Sequence, residues 1–252
     1  MLGIKVLTLF PEMVRTVLAT SILGRAKKQG LVRYQVVDIR DFAVDKHGTV
    51  DDTAYGGGPG MILMAPPVVE AVEAHRENTT APVILTTPQG ETLNESLVLE
   101  MLQEAQQIGE ILLVCGHYKG VDERIRQLVI TREVSIGDYV LSGGELPALV
   151  MIDALVRRIP GVLSDPSSAA SDSFTTARRG GLDSCWYTKP PVYRGLAVPE
   201  ILLSGHHANI ATWRQQQAAA RTRRQRPDLV PAEPGEAPAS DSTETEAGDE
   251  GK

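Results

Sequence analysis

Glu110-Ile111-Leu112-Leu113-Val114, running straight into Cys115-Gly116-His117-Tyr118-Lys119-Gly120-Val121-Asp122-Glu123-Arg124, is the stretch on which the fold turns. An apolar run that breaks into a glycine loop reads as a buried strand, and Asp122–Val129 after it reads as a short helix. The pattern recurs on both sides. Upstream, Pro82–Leu85 leads into Thr86-Thr87-Pro88-Gln89-Gly90. Downstream, Thr131–Val134 leads into Ser135-Ile136-Gly137-Asp138-Tyr139-Val140-Leu141-Ser142-Gly143-Gly144-Glu145-Leu146-Pro147. Loops at the carboxyl ends of strands in an open α/β sheet are where ligands sit, and glycine there lets backbone approach a ligand closely. Any one of these loops is an ordinary turn, because turns favour glycine. Three in succession, the last with a double glycine and a proline, point to one ligand site.

Working outward, Ile4–Phe10 predicts a buried first strand, and Pro11 opens a helix at a position where its missing N–H costs nothing. No G-x-G-x-x-G follows that strand, which counts against a dinucleotide-binding fold and against the commonest methyltransferase fold. Ser21–Gln29 predicts a helix and Arg33–Ile39 a strand. Arg40–Gly60 has no periodicity and ends in Tyr55-Gly56-Gly57-Gly58-Pro59-Gly60-Met61. That run lacks the Lys and Ser/Thr of a phosphate-cradling loop. It leaves a flexible connection, or a backbone-dense loop lying over a ligand or an RNA. Asp45, Lys46, His47, Asp51 and Asp52 gain no role from spacing. Ala65–Glu77 predicts a helix with Val68, Val69 and Val72 inward, and Asn94 caps a helix over Glu95–Gln107. Glu145–Ile159 is apolar on more than one face, as in a helix that is buried on several sides or dimerises.

At 252 residues the chain can bury a real core, and 42% apolar with 23% charged residues is ordinary for a globular protein. The net charge of -7 is unevenly placed: beyond Val230, seven acids face one lysine, leaving the preceding body at -1. That tail, 231–252, carries almost no large apolar side chain and is expected to be disordered. Cys115 and Cys185 are too few for a disulfide framework and have no metal-ligand spacing. No leader pattern or membrane-length apolar run is present in the sequence, so a cytoplasmic location without membrane association is expected. From Pro160 to Gly181 the composition shifts to Ser, Asp, Ala and Gly, as in an interdomain linker that orders with substrate. Val198–Leu203 is followed by a helix over Ala208–Arg226. It carries Arg214, Arg221, Arg223, Arg224 and Arg226 around Trp213, with no acid before Asp228. A basic helix with an aromatic is the footprint of a phosphate-backbone binder, or simply a solvated cationic face. Adjacent His206 and His207 point different ways on a helix, and no third metal ligand is evident.

Together these segments resemble the bacterial tRNA (guanine-37-N1)-methyltransferases of the SPOUT class. The resemblance runs from Ile4 to about Leu229. It rests on YGGGPGM (Tyr55–Met61), TTPQG (Thr86–Gly90), CGHYKGVDER (Cys115–Arg124), SIGDYVLSGGELPA (Ser135–Ala148), IPGVL (Ile159–Leu163), DSF (Asp172–Phe174), YTKPPVYRG (Tyr187–Gly195) and SGHHANI (Ser204–Ile210). Two departures stand out: His117 and Lys119 replace the family's usual Arg and Glu, and DDTAYGGGPGM replaces DDRPYGGGPGM.

The resemblance implies an α/β SPOUT domain over residues 1–160 with a C-terminal deep trefoil knot, a linker over 161–181, and a small mostly helical tRNA-binding domain over 182–230. It implies that the three glycine loops hold S-adenosyl-L-methionine in a bent shape. Pro88, Gly90, Gly116, Tyr118, Gly120, Ile136, Tyr139, Leu141, Gly143, Gly144 and Pro147 would be the contacts, largely through backbone. It implies a homodimer with the site at the subunit interface. Asp172 would be the general base, from the partner subunit's linker, and Arg157 would steady the reacting guanine. Arg214, Arg221, Arg223 and Arg224 would grip the tRNA. Family members show a Mg²⁺ requirement, whereas this sequence displays no metal cluster. The expected reaction is methyl transfer to N1 of guanosine 37. The alternatives are a SPOUT methyltransferase acting on another RNA position and a non-catalytic RNA-binding module.

Overall fold

Every residue of Leu2–Thr8 and of Glu110–Cys115 is buried, so neither segment alternates between water and core. Strands of that kind need cover on both faces, and they belong to a parallel sheet with helices above and below. A computed structural model describes residues 1–230, which divide into two compact units after Ala170. The acidic stretch 231–252 lies outside the described residues.

The strands of the first unit are β1 (Leu2–Thr8), β2 (Val32–Asp38), β3 (Asp51–Thr53), β4 (Met61–Leu63), β5 (Val83–Thr92), β6 (Glu110–Cys115), β7 (Gly120–Val121) and β8 (Arg132–Ser135). Five of them form a sheet in the order β2-β1-β6-β5-β8, and all its pairings are parallel. The helices are α1 (Pro11–Leu18), α2 (Ser21–Lys28), α3 (Ala65–His75), α4 (Glu95–Ile108), α5 (Glu123–Leu128) and α6 (Glu145–Val156). Side chains alternate between two cores. Ile4, Val6, Ile84, Ile111 and Leu113 meet α1, α2, α4 and α6 on one face. Leu7, Val83, Leu85, Leu112 and Val114 meet α3 and α5 on the other. Asn94 caps α4 by accepting from Leu97 N–H at 3.0 Å, and Gly109 ends that helix at φ 95°.

Three sequence expectations change in detail. β1 ends at Thr8 rather than Phe10, because the Thr8 hydroxyl accepts from Phe10 N–H at 2.9 Å and turns the chain into α1. β5 does not stop at Leu85. Thr86 and Glu91 both pair with Val134 of β8, so Thr87–Gly90 is an excursion inside a strand that resumes pairing. The stretch without periodicity holds a small sheet, β3-β4-β7, and the glycine run is the antiparallel β3–β4 connection, with Gly56, Gly57, Gly58 and Gly60 all at positive φ.

Lys5, in the middle of β1, is only 1% exposed. Its ammonium donates to His75 O at 2.5 Å and lies 2.8 Å from both the Glu77 and Glu110 carboxylates. Glu110 is buried as well, and its carboxylate also accepts from Asn78 N–H at 2.7 Å. Removing one partner of a buried pair strands the other, so Lys5→Met is expected to cost about 3–5 kcal/mol. Urea titration checks this. Adding Glu110→Gln, which keeps an acceptor for Asn78 and removes the orphaned charge, is expected to restore most of the loss.

The second unit starts at Ser171, at the end of α7 (Pro166–Ser171). It contains the hairpin β9 (Val192–Tyr193) and β10 (Leu196–Ala197), then α8 (Glu200–Leu203) and α9 (His207–Gln225). Thr222 of α9 is buried, and its hydroxyl donates to Ala218 O at 2.8 Å while accepting from Leu182 N–H at 3.0 Å.

Candidate functional site

Because β5, β6 and β8 are parallel neighbours, the segments leaving them emerge at the same end of the sheet. Between them lies a cleft of about 250 Å³, lined by Thr86–Gln89, Gly116–Val121 and most of Ser135–Gly144, with Leu85, Arg126, Val134 and Pro147 completing the wall. The last of these segments does not stay at the sheet edge from which it starts. Gly144 N–H donates to Gly116 O at 2.8 Å, and His117 bridges Gly143, so the chain returns past β5 to the end of β6. Only then does it enter α6, which packs against α1, α2, α4 and β6.

The double glycine is required by this crossing. A Cβ on Gly144 would lie 2.1 Å from Thr86 Oγ1 and 2.7 Å from Gly116 N, and one on Gly143 would lie 2.4 Å from Glu145 Oε2. Buried Glu145 accepts from Thr8 Oγ1 at 2.7 Å, tying α6 to the end of β1. The His117 ring packs between Phe10, with centroids 5.0 Å apart, and Tyr118, at 4.9 Å; its Nδ1 is buried without a hydrogen-bond partner. Burial first, then the nearby Glu145 carboxylate, pushes the Cys115 thiol well above its usual range, so this cysteine is inert. Tyr118 sits at φ 63°, a costly conformation for a side chain of its size. Burial and then a hydrogen bond to Asp51 raise its phenol pKa.

Of the residues expected to hold a cofactor, Pro88, Gly116, Tyr118, Gly120, Ile136, Tyr139, Leu141, Gly143, Gly144 and Pro147 all line this cleft. Gly90 does not. It lies where β5 resumes, and a Cβ there would come within 2.3 Å of Val134 N, so its small size serves the β5–β8 contact. The lining adds Thr86, Gln89, His117, Lys119 and Ser135, which the motifs contained but no spacing rule singled out, and Arg126, which lies outside them.

Arg157 is half-buried at the C-terminal end of α6, in the first unit. Asp172 belongs to the second unit, half-buried in a turn closed by Phe174 N–H to Gly181 O at 2.8 Å and by Thr175 Oγ1 to Asp172 O at 2.8 Å. Among the arginines expected to meet RNA, two have internal partners. Arg221 donates to Ser184 O at 3.2 Å and contacts Cys185 Sγ at 3.2 Å, while Arg214 stacks 4.4 Å over the Trp186 ring. Arg223 and Arg224 are exposed. No cluster of three or more His, Cys, Asp or Glu side chains able to hold a metal occurs among the described residues. No helix among them is long and apolar enough to cross a membrane.

Gly116, Gly143 and Gly144 thus wall a strand-end cleft. The family model described as tRNA (Guanine-1)-methyltransferase TrmD matches residues 2–232. The chain belongs to that family. A Moorella thermoacetica protein named tRNA (guanine-N(1)-)-methyltransferase is 51% identical over 230 residues, covering 90% of this chain and 89% of its own length. Proteins of the same name from Brevibacillus brevis and Ruminiclostridium cellulolyticum are each 50% identical, over 227 and 226 residues, covering 90% and 94% of their own lengths. The match to the TrmD family covers the first unit from residue 2 and the second as far as residue 232.

Proposed function

We propose that this chain transfers a methyl group from S-adenosyl-L-methionine to N1 of guanosine 37 in tRNA. The observation that carries the reading is the glycine-walled cleft at the ends of β5, β6 and β8 in a member of this family. The cleft suits the donor: Gly116, Gly120, Gly137, Gly143 and Gly144 in its wall leave room for close approach to backbone, with apolar Leu85, Ile136, Leu141 and Pro147 for an adenosine face. The return of the chain from β8 to Gly116 before α6 supports a knotted arrangement of the kind the resemblance implies. S-adenosyl-L-methionine supplies an electrophilic methyl on sulfur.

The acceptor atom needs preparing. Guanine N1 carries a proton in the neutral base, so its lone pair is not available to attack. Asp172 removes that proton, and Arg157 stabilises the negative charge that develops on O6. Proximity supplies the rest, with methyl and N1 held in line. Asp172 acts from a second copy of the chain. Support for a homodimer comes from α6, which is mostly buried yet leaves Leu146 49% and Val150 47% exposed. The segment 161–181 serves as the linker that orders over the splayed base, and 182–230, with Arg223 and Arg224 exposed on α9, as the domain that grips the tRNA. Such an enzyme would work in the cytoplasm, beside its tRNA.

Labelled methyl transfer to tRNA transcripts tests the reading. A transcript with G37 is expected to accept label at N1, and one with G37 replaced is expected to accept none. Equal labelling of both transcripts would move the target to another RNA position, and no labelling of either would leave an RNA-binding module.

A further inference from the structure

The strand-end cleft has an unbalanced charge. Its ionisable lining side chains are His117, Tyr118, Lys119, Arg126 and Tyr139, and no Asp or Glu is among them; Asp138 lies between two lining residues without joining the wall. Arg126 is already engaged. Its Nε lies 2.9 Å from Glu133, one terminal nitrogen 3.1 Å from Glu123, and the other donates to the Gln89 amide oxygen at 2.7 Å. Lys119 is exposed, and no ion pair among the described residues includes it. It is therefore the one cation in this lining whose charge is not already met by protein.

The backbone of Lys119 is held in place. Its N–H donates to Met61 O at 3.0 Å, and the next residue, Gly120, pairs with Ile62. A Cβ on Gly60 would lie 3.1 Å from Lys119 Cβ, so the glycine connection closes on the root of the lysine side chain and narrows where it can swing.

Resting on the methyl-donor reading, we propose that Lys119 binds the carboxylate of the donor's methionine half and makes that carboxylate a specificity requirement. S-adenosyl-L-methionine carries a sulfonium, an ammonium and one carboxylate. The unmatched charge among the lining side chains of this chain is positive, and the ligand group that such a charge attracts is the carboxylate. The ammonium on the same carbon is repelled by Lys119 and meets no carboxylate among the lining side chains that the same chain supplies.

Calorimetry with the full chain tests this using four ligands: S-adenosyl-L-methionine, S-adenosylhomocysteine, the decarboxylated donor and the deaminated donor. The unaltered chain is expected to bind the decarboxylated donor about 5- to 10-fold more weakly than S-adenosyl-L-methionine, the scale of one partly exposed charge pair. The deaminated donor keeps the carboxylate, so Lys119→Ala is expected to weaken it by the same factor as the intact donor. Lys119→Ala should lose the same factor for the intact donor and none for the decarboxylated one. Lys119→Glu should reverse the order of the two. An equal loss for both ligands in Lys119→Ala would mean that the lysine only shapes the wall, and the assignment would fall while the methyl-donor reading stood. No binding of any ligand by the unaltered chain would overturn both. Melting curves confirm that each variant is folded, as expected for an exposed side chain.

Discussion

Asp172→Ala is expected to lower single-turnover methyl transfer to G37 by about 10²- to 10⁴-fold, the span usual for a positioned general base. The reason lies in the acceptor: without a base, the N1 lone pair stays tied up in the N–H bond, however well the methyl group is placed. Affinity for tRNA is expected to stay within about threefold, because the variant removes one carboxylate and no cation that could meet phosphate. The turn itself should persist. It is closed through main chain and neighbouring side chains, by Phe174 N–H to Gly181 O and by Asp183 N–H to Ser173 Oγ at 2.9 Å. Asp172→Asn should fail equally, since an amide keeps the shape and cannot take the proton. Retention of near-normal N1 methylation by either variant, at saturating donor and tRNA, would remove Asp172 from the base role. Mixing chains offers a second check. Combining Asp172→Ala with Arg157→Ala chains in one dimer should restore a single working site if base and arginine come from different copies.

The central strands of the parallel sheet were legible because they are buried on both faces and so read as short, mostly apolar runs. Glu110–Val114 is the clearest example, and the glycine loops mark where each run ends. What the sequence could not reveal is non-local. The resumption of β5 at Glu91 depends on Val134, more than forty residues away, and no local pattern announces it. The Gly56–Gly60 connection looked structureless because β3 and β4 have three residues each, and β4 takes its other neighbour from Gly120–Val121. Charge was legible and its use was not: Arg214 and Arg221 read as cations on a basic helix, yet one stacks on Trp186 and the other holds Ser184 O. Asp172 would have passed as a solvated residue in a linker. Only the resemblance singled it out, because one carboxylate in a Ser-rich stretch has no pattern of its own.

The largest effect on the cleft is expected from one methyl group at Gly144. Its φ is -84°, so alanine could adopt the backbone there without strain, and the obstacle is space alone. The added carbon would lie 2.1 Å from Thr86 Oγ1, 2.7 Å from Gly116 N and 2.8 Å from Cys115 Cα. The threonine hydroxyl can rotate away, at the loss of its hydrogen bonds to Val114 O and Gly144 O. The two backbone atoms cannot, because they end β6, which is buried between β1 and β5. Gly144→Ala must therefore push the start of α6 off β6 and break the 2.8 Å bond from Gly144 N to Gly116 O. Overpacking of this kind costs about 1–3 kcal/mol, which should lower the melting midpoint by roughly 2–10 °C. The cost to function should exceed the cost to stability. Displacing the double glycine by about 1 Å moves the wall that positions the donor, and misplacement on that scale costs about 10²-fold in rate. Gly120 supplies the contrast for stability: a Cβ there meets nothing within 4 Å, so Gly120→Ala should melt with the unaltered chain. If Gly144→Ala also melted unchanged and bound S-adenosyl-L-methionine normally, the close approach of the third loop to β6 would not be what builds the cleft.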